Sequence, residues 1–235
     1  MKHKFTYEWP HPAVTVDIAL FTVSGQLQDL RLQVLLIARR EKPFQGQWAL
    51  PGGFVRIQED LSDAALRELA EETGVRDVYL EQVTAVGTPD RDTRERVITI
   101  VYVGLVAGDR HQLHPTGDAT DARWFDVTAL PPLAFDHGDL LKLALEHLRR
   151  RVAEAPVCFE LLPEVFTLSE LQTLTEAILG RTLDRRNFRR KVRELGFLAA
   201  VKGTRRHGAH RPAQLYRFLP KAYARYAGRG RALPF

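Results

Sequence analysis

Residues 53–75 read GFVRIQEDLSDAALRELAEETGV. The spacing predicts a helix over 60–73, with Gly74 placed as its left-handed C-cap and Gly52-Gly53 marking a sharp bend before it. At about 100° per residue, Glu68, Glu71 and Glu72 fall within about 100° of one another, while Leu66, Leu69 and Thr73 lie opposite, beside Ala70. Like charges three and four residues apart repel, so this face destabilises its own helix unless something neutralises it. Carboxylates gathered in this way suit a hard cation, Mg²⁺ or Mn²⁺, which in turn favours phosphate oxygens. A solvated acidic face would satisfy the same spacing.

Around this stretch, strand and helix signals alternate. AVTVDIALFTV (13–23) and LRLQVLLIARR (30–40) are β-rich runs separated by a turn-like SGQLQD. WALPGGFV (48–55), VYLEQVTAVGT (78–88), RVITIVYVGLV (96–106) and ARWFDV (122–127) add further strands. A second helix is expected over 136–153, with Asp136 as N-cap and Leu140, Leu141, Leu145 and Leu148 as its apolar stripe. Strands interleaved with two helices imply an α/β fold, a mixed sheet flanked by helices. Pro156 and Pro163 break the pattern, so the chain divides into residues 1–155 and 156–235.

The two parts differ in sign. Residues 156–235 hold 16 Lys+Arg against 6 Asp+Glu, and residues 1–155 hold 18 against 23. That asymmetry suggests two jobs, one of them with a polyanion. The second part reads helix (168–179), turn at Gly180, helix (184–195), then short strands at 197–201 and 214–219 around a basic loop. This is the order of a winged helix-turn-helix. In its second helix, capped by Asp184, Phe188, Val192 and Leu195 form the buried face, and Arg186, Arg189, Arg190 and Arg193 are expected to point outward together. With Asn187 on the helix and Lys202, Arg205, Arg206, His207 and Arg211 on the wing, they make a candidate DNA surface. A winged module used only for dimerisation would read similarly.

Gly53, Glu59, Arg67-Glu68-Leu69, Glu71-Glu72 and Gly74-Val75 fill every fixed position of the Nudix box, G-x5-E-x7-R-E-U-x-E-E-x-G-U, with U apolar. The first part therefore resembles a Nudix hydrolase, an α/β/α sandwich whose members cleave nucleoside diphosphates linked to another moiety. The resemblance implies that Glu68, Glu71 and Glu72 ligate Mg²⁺ or Mn²⁺, that Arg67 orients them, that Glu59 supports them and that Gly53 opens the loop. LPPLAFDH (130–137), ELLPEVFTLSELQ (160–172), LDRRNFRRKV (183–192) and RPAQLYRF (211–218) extend the likeness. Together the halves resemble the Nudix-related transcriptional regulators of NAD metabolism. That implies a homodimeric repressor whose Nudix domain senses ADP-ribose or a related metabolite, and whose winged helix leaves operator DNA when the ligand binds. A pyrophosphatase whose winged part serves only dimerisation is the rival reading.

Weaker candidates remain. Arg39 and Arg40 could meet a diphosphate or ribose, or be a solvated strand end. Phe44 and Trp48 could stack on adenine, or belong to the core. Glu95 is a loop candidate for a catalytic base, His137 is read as structural, and the single cysteine, Cys158, as a buried residue between the domains. With one cysteine, no disulfide framework and no apolar run near the roughly 20 residues that span a bilayer, a cytoplasmic protein with no membrane partner is expected.

Overall fold

The computed structural model describes residues 8–26, 30–107, 112–205 and 212–227. Strand β1 (Ala13–Ser24) carries two interleaved apolar sets. Val16, Ile18 and Leu20 face one side of the sheet, Ala19 and Phe21 the other, and all are buried. Strand β2 (Arg31–Arg39) repeats the pattern, with Leu35 and Ile37 on the first side and Leu32, Val34 and Leu36 on the second. Strands apolar on both faces belong in the middle of a sheet that is covered on both sides.

The other strands are β3 (Trp48–Ala49), β4 (Gly52–Phe54), β5 (Tyr79–Val86), β6 (Val97–Leu105) and β7 (Ala119–Asp126). They form one seven-stranded mixed sheet in the order β3-β2-β1-β6-β5, with β4 pairing β1 and β7 pairing β2. Only β1 and β6 run parallel, so the sheet is mixed as the sequence led us to expect. Helix α1 (Leu61–Thr73) covers one face through Ala64, Ala65 and Leu69. Helix α2 (His137–Glu154) covers the other through Leu140, Leu141, Ala144 and Leu148.

Two expectations about these helices need correction. Leu66 is 40% exposed whereas Glu72 is 4% exposed, so the buried side of α1 is Ala64, Ala65, Leu69, Glu72 and Thr73. A carboxylate occupies an inward position because Glu72 Oε2 accepts the Gly52 N–H at 2.9 Å. Asp136 precedes α2 but makes no side-chain cap, because its carboxylate is taken by Arg91.

After a 3-10 turn at Val157–Leu161 come β8 (Phe166–Thr167), α3 (Leu168–Leu179), α4 (Arg185–Glu194), β9 (Leu198–Arg205), β10 (Ala213–Phe218) and α5 (Pro220–Ala227). Thr167 and Glu170 form a capping box on α3, and Gly180 ends it in the left-handed region at φ 66°. Asp184 caps α4 by accepting the Asn187 N–H at 2.7 Å. The sheet order β8-β10-β9 completes a winged helix-turn-helix. Helix α5 was not expected from the sequence; its Tyr223 packs edge-on against Phe197 at 5.5 Å.

The core does not stop at residue 155. The cluster beneath α2 continues through Val152, Cys158 and Leu161 to Leu171, Leu174 and Ile178 of α3. No helix among the described residues is long and apolar enough to cross a membrane.

Candidate functional site

The acidic face of α1 is cross-linked by one guanidinium. Arg67 Nε and Nη2 hold the two oxygens of Glu59 at 2.6 and 2.8 Å, and Nη1 meets Glu68 Oε1 at 2.7 Å and Glu71 Oε2 at 3.2 Å. Nη2 also donates to the Phe54 carbonyl at 3.1 Å. Arg56 adds a longer contact to Glu71 Oε1 at 3.5 Å. The Arg67 hydrogen bonds hold the Glu59 carboxyl down at about 2. Burial pushes Glu68 up despite Arg67, and pushes Glu72 well above the usual range, with Glu68, Asp118 and Asp17 adding repulsion.

Glycines set the approach. A Cβ at Gly53 would overlap the Glu68 carboxylate, and one at Gly52 would overlap the Val16 carbonyl. A bulkier residue at position 53 would push the strand turn away from α1, and one at position 52 would push it off β1. The far end of α1 is covered by the 114–116 loop: His114 N–H donates to the Thr73 carbonyl at 2.8 Å, and Thr116 Oγ1 donates to the Glu71 carbonyl.

Beside Glu72 and Gly53 opens a cleft enclosing about 690 Å³ of space, part of it open to solvent. Arg39 and Arg94 line it with Phe54 and Phe135. The Arg94 guanidinium lies 5.4 Å from the Phe54 ring centre and 5.7 Å from that of Phe135, and Arg39 lies 4.8 Å from Phe135. Burial and the neighbouring Arg94 lower the Arg39 pKa. Asp92 grips Arg94 through two bonds of 3.0 and 2.7 Å. Two cations and two aromatic rings around a partly open space suit a ligand with phosphates and a planar ring.

The floor of the cleft is a buried polar network. Arg91 holds Asp136 at 2.9 and 2.8 Å and Asp17 at 3.3 Å, and Thr99 donates to Asp17 at 2.6 Å. His137 Nδ1 accepts the Leu50 N–H at 2.9 Å, and its Nε2 lies 3.5 Å from Asp17. Burial lowers the His137 pKa, and the ring ties the start of α2 to the Leu50 backbone.

The other candidates lie off the cleft wall. Arg40 lies outside the cleft and donates to the Ala119 carbonyl at 3.2 Å. Trp48 is half-buried against Phe125 at 4.7 Å, away from the cleft. Phe44 is behind Phe135, edge-on at 4.6 Å, and Glu95 is exposed and does not line the cleft. Arg94, Phe54, Phe135 and Asp118 were missed by sequence reasoning, because nothing local distinguishes them from ordinary loop and strand residues.

On α4, Arg186, Asn187, Arg190 and Arg193 are exposed. Arg190 donates to Asn187 Oδ1 at 2.8 Å and lies 3.4 Å from Glu194. Arg189 departs from the outward set: it is half-buried, and its Nη2 donates to Ser169 Oγ of α3 at 2.7 Å. On the wing, Lys202 is exposed, but Arg205 is drawn back to Glu170 at 2.7 Å and to the Val165 carbonyl at 3.1 Å. These two arginines brace the lobe. Arg206, His207 and Arg211 lie outside the described residues.

The sequence profile of the NUDIX domain matches residues 11–144, and that of the NrtR DNA-binding winged helix domain matches residues 158–218. The chain is 39% identical over 221 residues to the ADPR responsive transcriptional repressor NtrR of Acinetobacter baylyi, spanning 92% of this chain and 86% of that one. Its structure is similar to that of Shewanella oneidensis NrtR complexed with a 27mer DNA, with TM-score 0.77, 36% identity, and coverage of 90% of this chain and 95% of that one. The NUDIX domain of the Shewanella protein complexed with ADP ribose matches at TM-score 0.54 and 36% identity, covering 60% of this chain and 90% of that one. With a complete Nudix box and a winged helix built on one continuous core, this chain belongs to the Nudix-domain transcriptional regulators of the NrtR family.

Proposed function

We propose that this chain is a DNA-binding transcriptional repressor of NAD metabolism genes, acting as a homodimer and controlled by ADP-ribose or a related metabolite held in the Nudix cleft. The observation that carries the reading is a pairing within one core: an arginine- and aromatic-lined cleft in one lobe, and an exposed arginine face on α4 in the other. Arg39 and Arg94 supply positive charge for a diphosphate, and exposed Phe54 beside Arg94 supplies an aromatic surface for a ring, Phe135 being already stacked on His137. Exposure of Arg186, Asn187, Arg190 and Arg193 on α4 supports a role for them in a major groove, and exposure of Lys202 a role at backbone phosphate. Such a repressor works in the compartment that holds the DNA, with no membrane partner. A DNA-shift assay on the region upstream of its own operon tests this: a shifted band should appear and should be lost on adding ADP-ribose. No shift at low salt, or a shift indifferent to ADP-ribose, would refute it.

The carboxylate set favours a second activity on the same ligand: Mg²⁺- or Mn²⁺-dependent hydrolysis of ADP-ribose to AMP and ribose 5-phosphate. Among the described residues no three acidic or histidine side chains already converge as a metal site. The donors nevertheless fit a hard divalent cation. Glu59, Glu68, Glu71 and Glu72 outnumber Arg67 and Arg56, and among the described residues Arg67 is the one cation ion-paired to the largely buried Glu68 and Glu72, through Glu68. Glu68, Glu71 and Glu72 would hold the ion, which when bound supplies charge neutralisation at the diphosphate and an activated water. Arg67 keeps Glu68 and Glu71 in place, and the Gly52 N–H does the same for Glu72. Release of AMP from ADP-ribose by the purified protein tests this activity independently of DNA binding.

A further inference from the structure

Helix α2 starts in the cleft and ends against the winged lobe. Its 18 residues span about 27 Å. At its first turn His137 lines the cleft, and Asp136 just before it is held by Nε and Nη2 of Arg91 at 2.9 and 2.8 Å. Arg91 belongs to the same short loop as Asp92 and Arg94, which line the cleft. A ligand that engages Arg94 therefore acts on the loop whose Arg91 holds the start of α2.

The other end is held by an arginine too. Arg149 of α2 donates from Nε to the Ile178 carbonyl, in the last turn of α3, at 3.1 Å. Its guanidinium stands against Gly180, where an added Cβ would come within 3.2 Å of Nη2. Gly180 is the left-handed turn from which the chain enters α4. A cation at a helix C-terminus is favourable, because it meets unpaired carbonyls and the negative end of the helix dipole. Leu148 and Val152 of α2 share a core with Leu171, Leu174 and Ile178 of α3, so α2 and α3 are packed as well as hydrogen-bonded.

The geometry points to these two arginine contacts, Arg91–Asp136 and Arg149–Ile178, as the joints through which occupancy of the cleft sets the pose of α4. Arg91 and Arg149 are positioning residues: neither needs to touch DNA. The inference rests on the reading that ADP-ribose in the cleft relieves DNA binding. It adds which contacts carry the coupling, and it makes the apolar packing alone insufficient.

The test is calorimetric titration of ADP-ribose into the full-length protein, free and bound to operator DNA, with Ca²⁺ replacing Mg²⁺ to suppress turnover. In the wild type, DNA should weaken ADP-ribose binding by a factor within the usual range of about 5–150. Arg149→Met keeps the apolar stem and removes the guanidinium. It should leave the affinity of free protein for ADP-ribose and of ligand-free protein for DNA unchanged, while the coupling factor falls toward one. Asp136→Asn, at the other joint, should also bring the coupling factor toward one, whatever it does to ADP-ribose affinity itself; if it does not fold, Arg149→Met decides alone. A wild-type coupling factor in folded Arg149→Met overturns the inference. So does loss of DNA affinity in ligand-free Arg149→Met, which would make the contact a plain support. Equal ADP-ribose affinities in the two wild-type titrations would remove ligand control itself, and the inference with it.

Discussion

The acidic face of α1 and the basic face of α4 are opposite solutions to the same problem, several like charges on one side of a helix. On α1 the charge is met from within: Arg67 ties Glu59, Glu68 and Glu71 together, and the backbone of Gly52 holds Glu72. On α4 the arginines mostly face solvent, with Asn187 and Glu194 as the partners of Arg190. An internally braced cluster is built to hold its shape around a small ion, whereas an exposed one leaves its donors for a partner that brings its own charge.

The largest expected effect breaks the acidic side. Glu71→Gln or Glu72→Gln should lower AMP release from ADP-ribose by at least about 100-fold, because a metal ligand supplies several kcal/mol of transition-state stabilisation. Circular dichroism should stay native, since the amide oxygen that Glu72→Gln introduces can still accept the Gly52 N–H. Retained turnover in both variants would show that the cluster is structural. On the basic side, Arg186→Ala or Arg190→Ala should each weaken operator binding by about 1–3 kcal/mol if the residue reads a base edge. A backbone-phosphate role would instead weaken all sequences alike and lower the salt slope by roughly one. Arg189→Ala should cost DNA affinity less than either, because that side chain is committed to Ser169. A larger loss from Arg189→Ala would reverse this ranking of the face.

Smaller effects sharpen the contrast. Arg67→Met should lower the unfolding temperature, by removing the guanidinium that Glu59 and Glu68 share. Thermal unfolding would read it, and added Mg²⁺ should recover part of the loss. The smallest is a pH effect at Glu59. Its folded carboxyl is held at about 2, below the roughly 4.3 of an unfolded glutamate, so its stabilisation is present above about pH 4.3 and is lost as pH falls toward 2. Glu59→Gln should therefore unfold at lower temperature than wild type at pH 6, with the gap narrowing toward pH 3. A gap that does not change with pH would mean that charge on Glu59 is irrelevant to stability.

What the sequence made legible follows from range. Most strands, both main helices, the caps at Gly74 and Asp184, the turn at Gly180 and the box itself are signals within a few residues, and they lie within about three residues of their expected places; the run 48–55 divides into β3 and β4, and β9 runs four residues beyond 201 into the basic loop. Arg91–Asp136 spans 45 positions, and Arg205–Glu170 spans 35. No local pattern encodes such pairs, so Asp136 read as a cap and Arg205 as a DNA contact. Glu72 was legible as a carboxylate of the box but not as a buried one, because its burial depends on how α1 is turned under the Gly52 bend. Strand β8 is too short to leave a periodicity, and the cleft is lined from several separate stretches of the chain.

Cys158 gives the molecule an internal clock. It is the chain's single cysteine, fully buried in the core shared by α2 and α3, and burial pushes its thiol up to about 12. Only a thiolate that meets solvent is alkylated at an appreciable rate, so labelling at neutral pH waits for the lobes to part. Where parting and closing are fast compared with the chemistry, the labelling rate relative to that of a free thiol gives the fraction of time the joint stands open. DNA or a nucleotide that tightens the joint will slow this clock without coming near the sulfur.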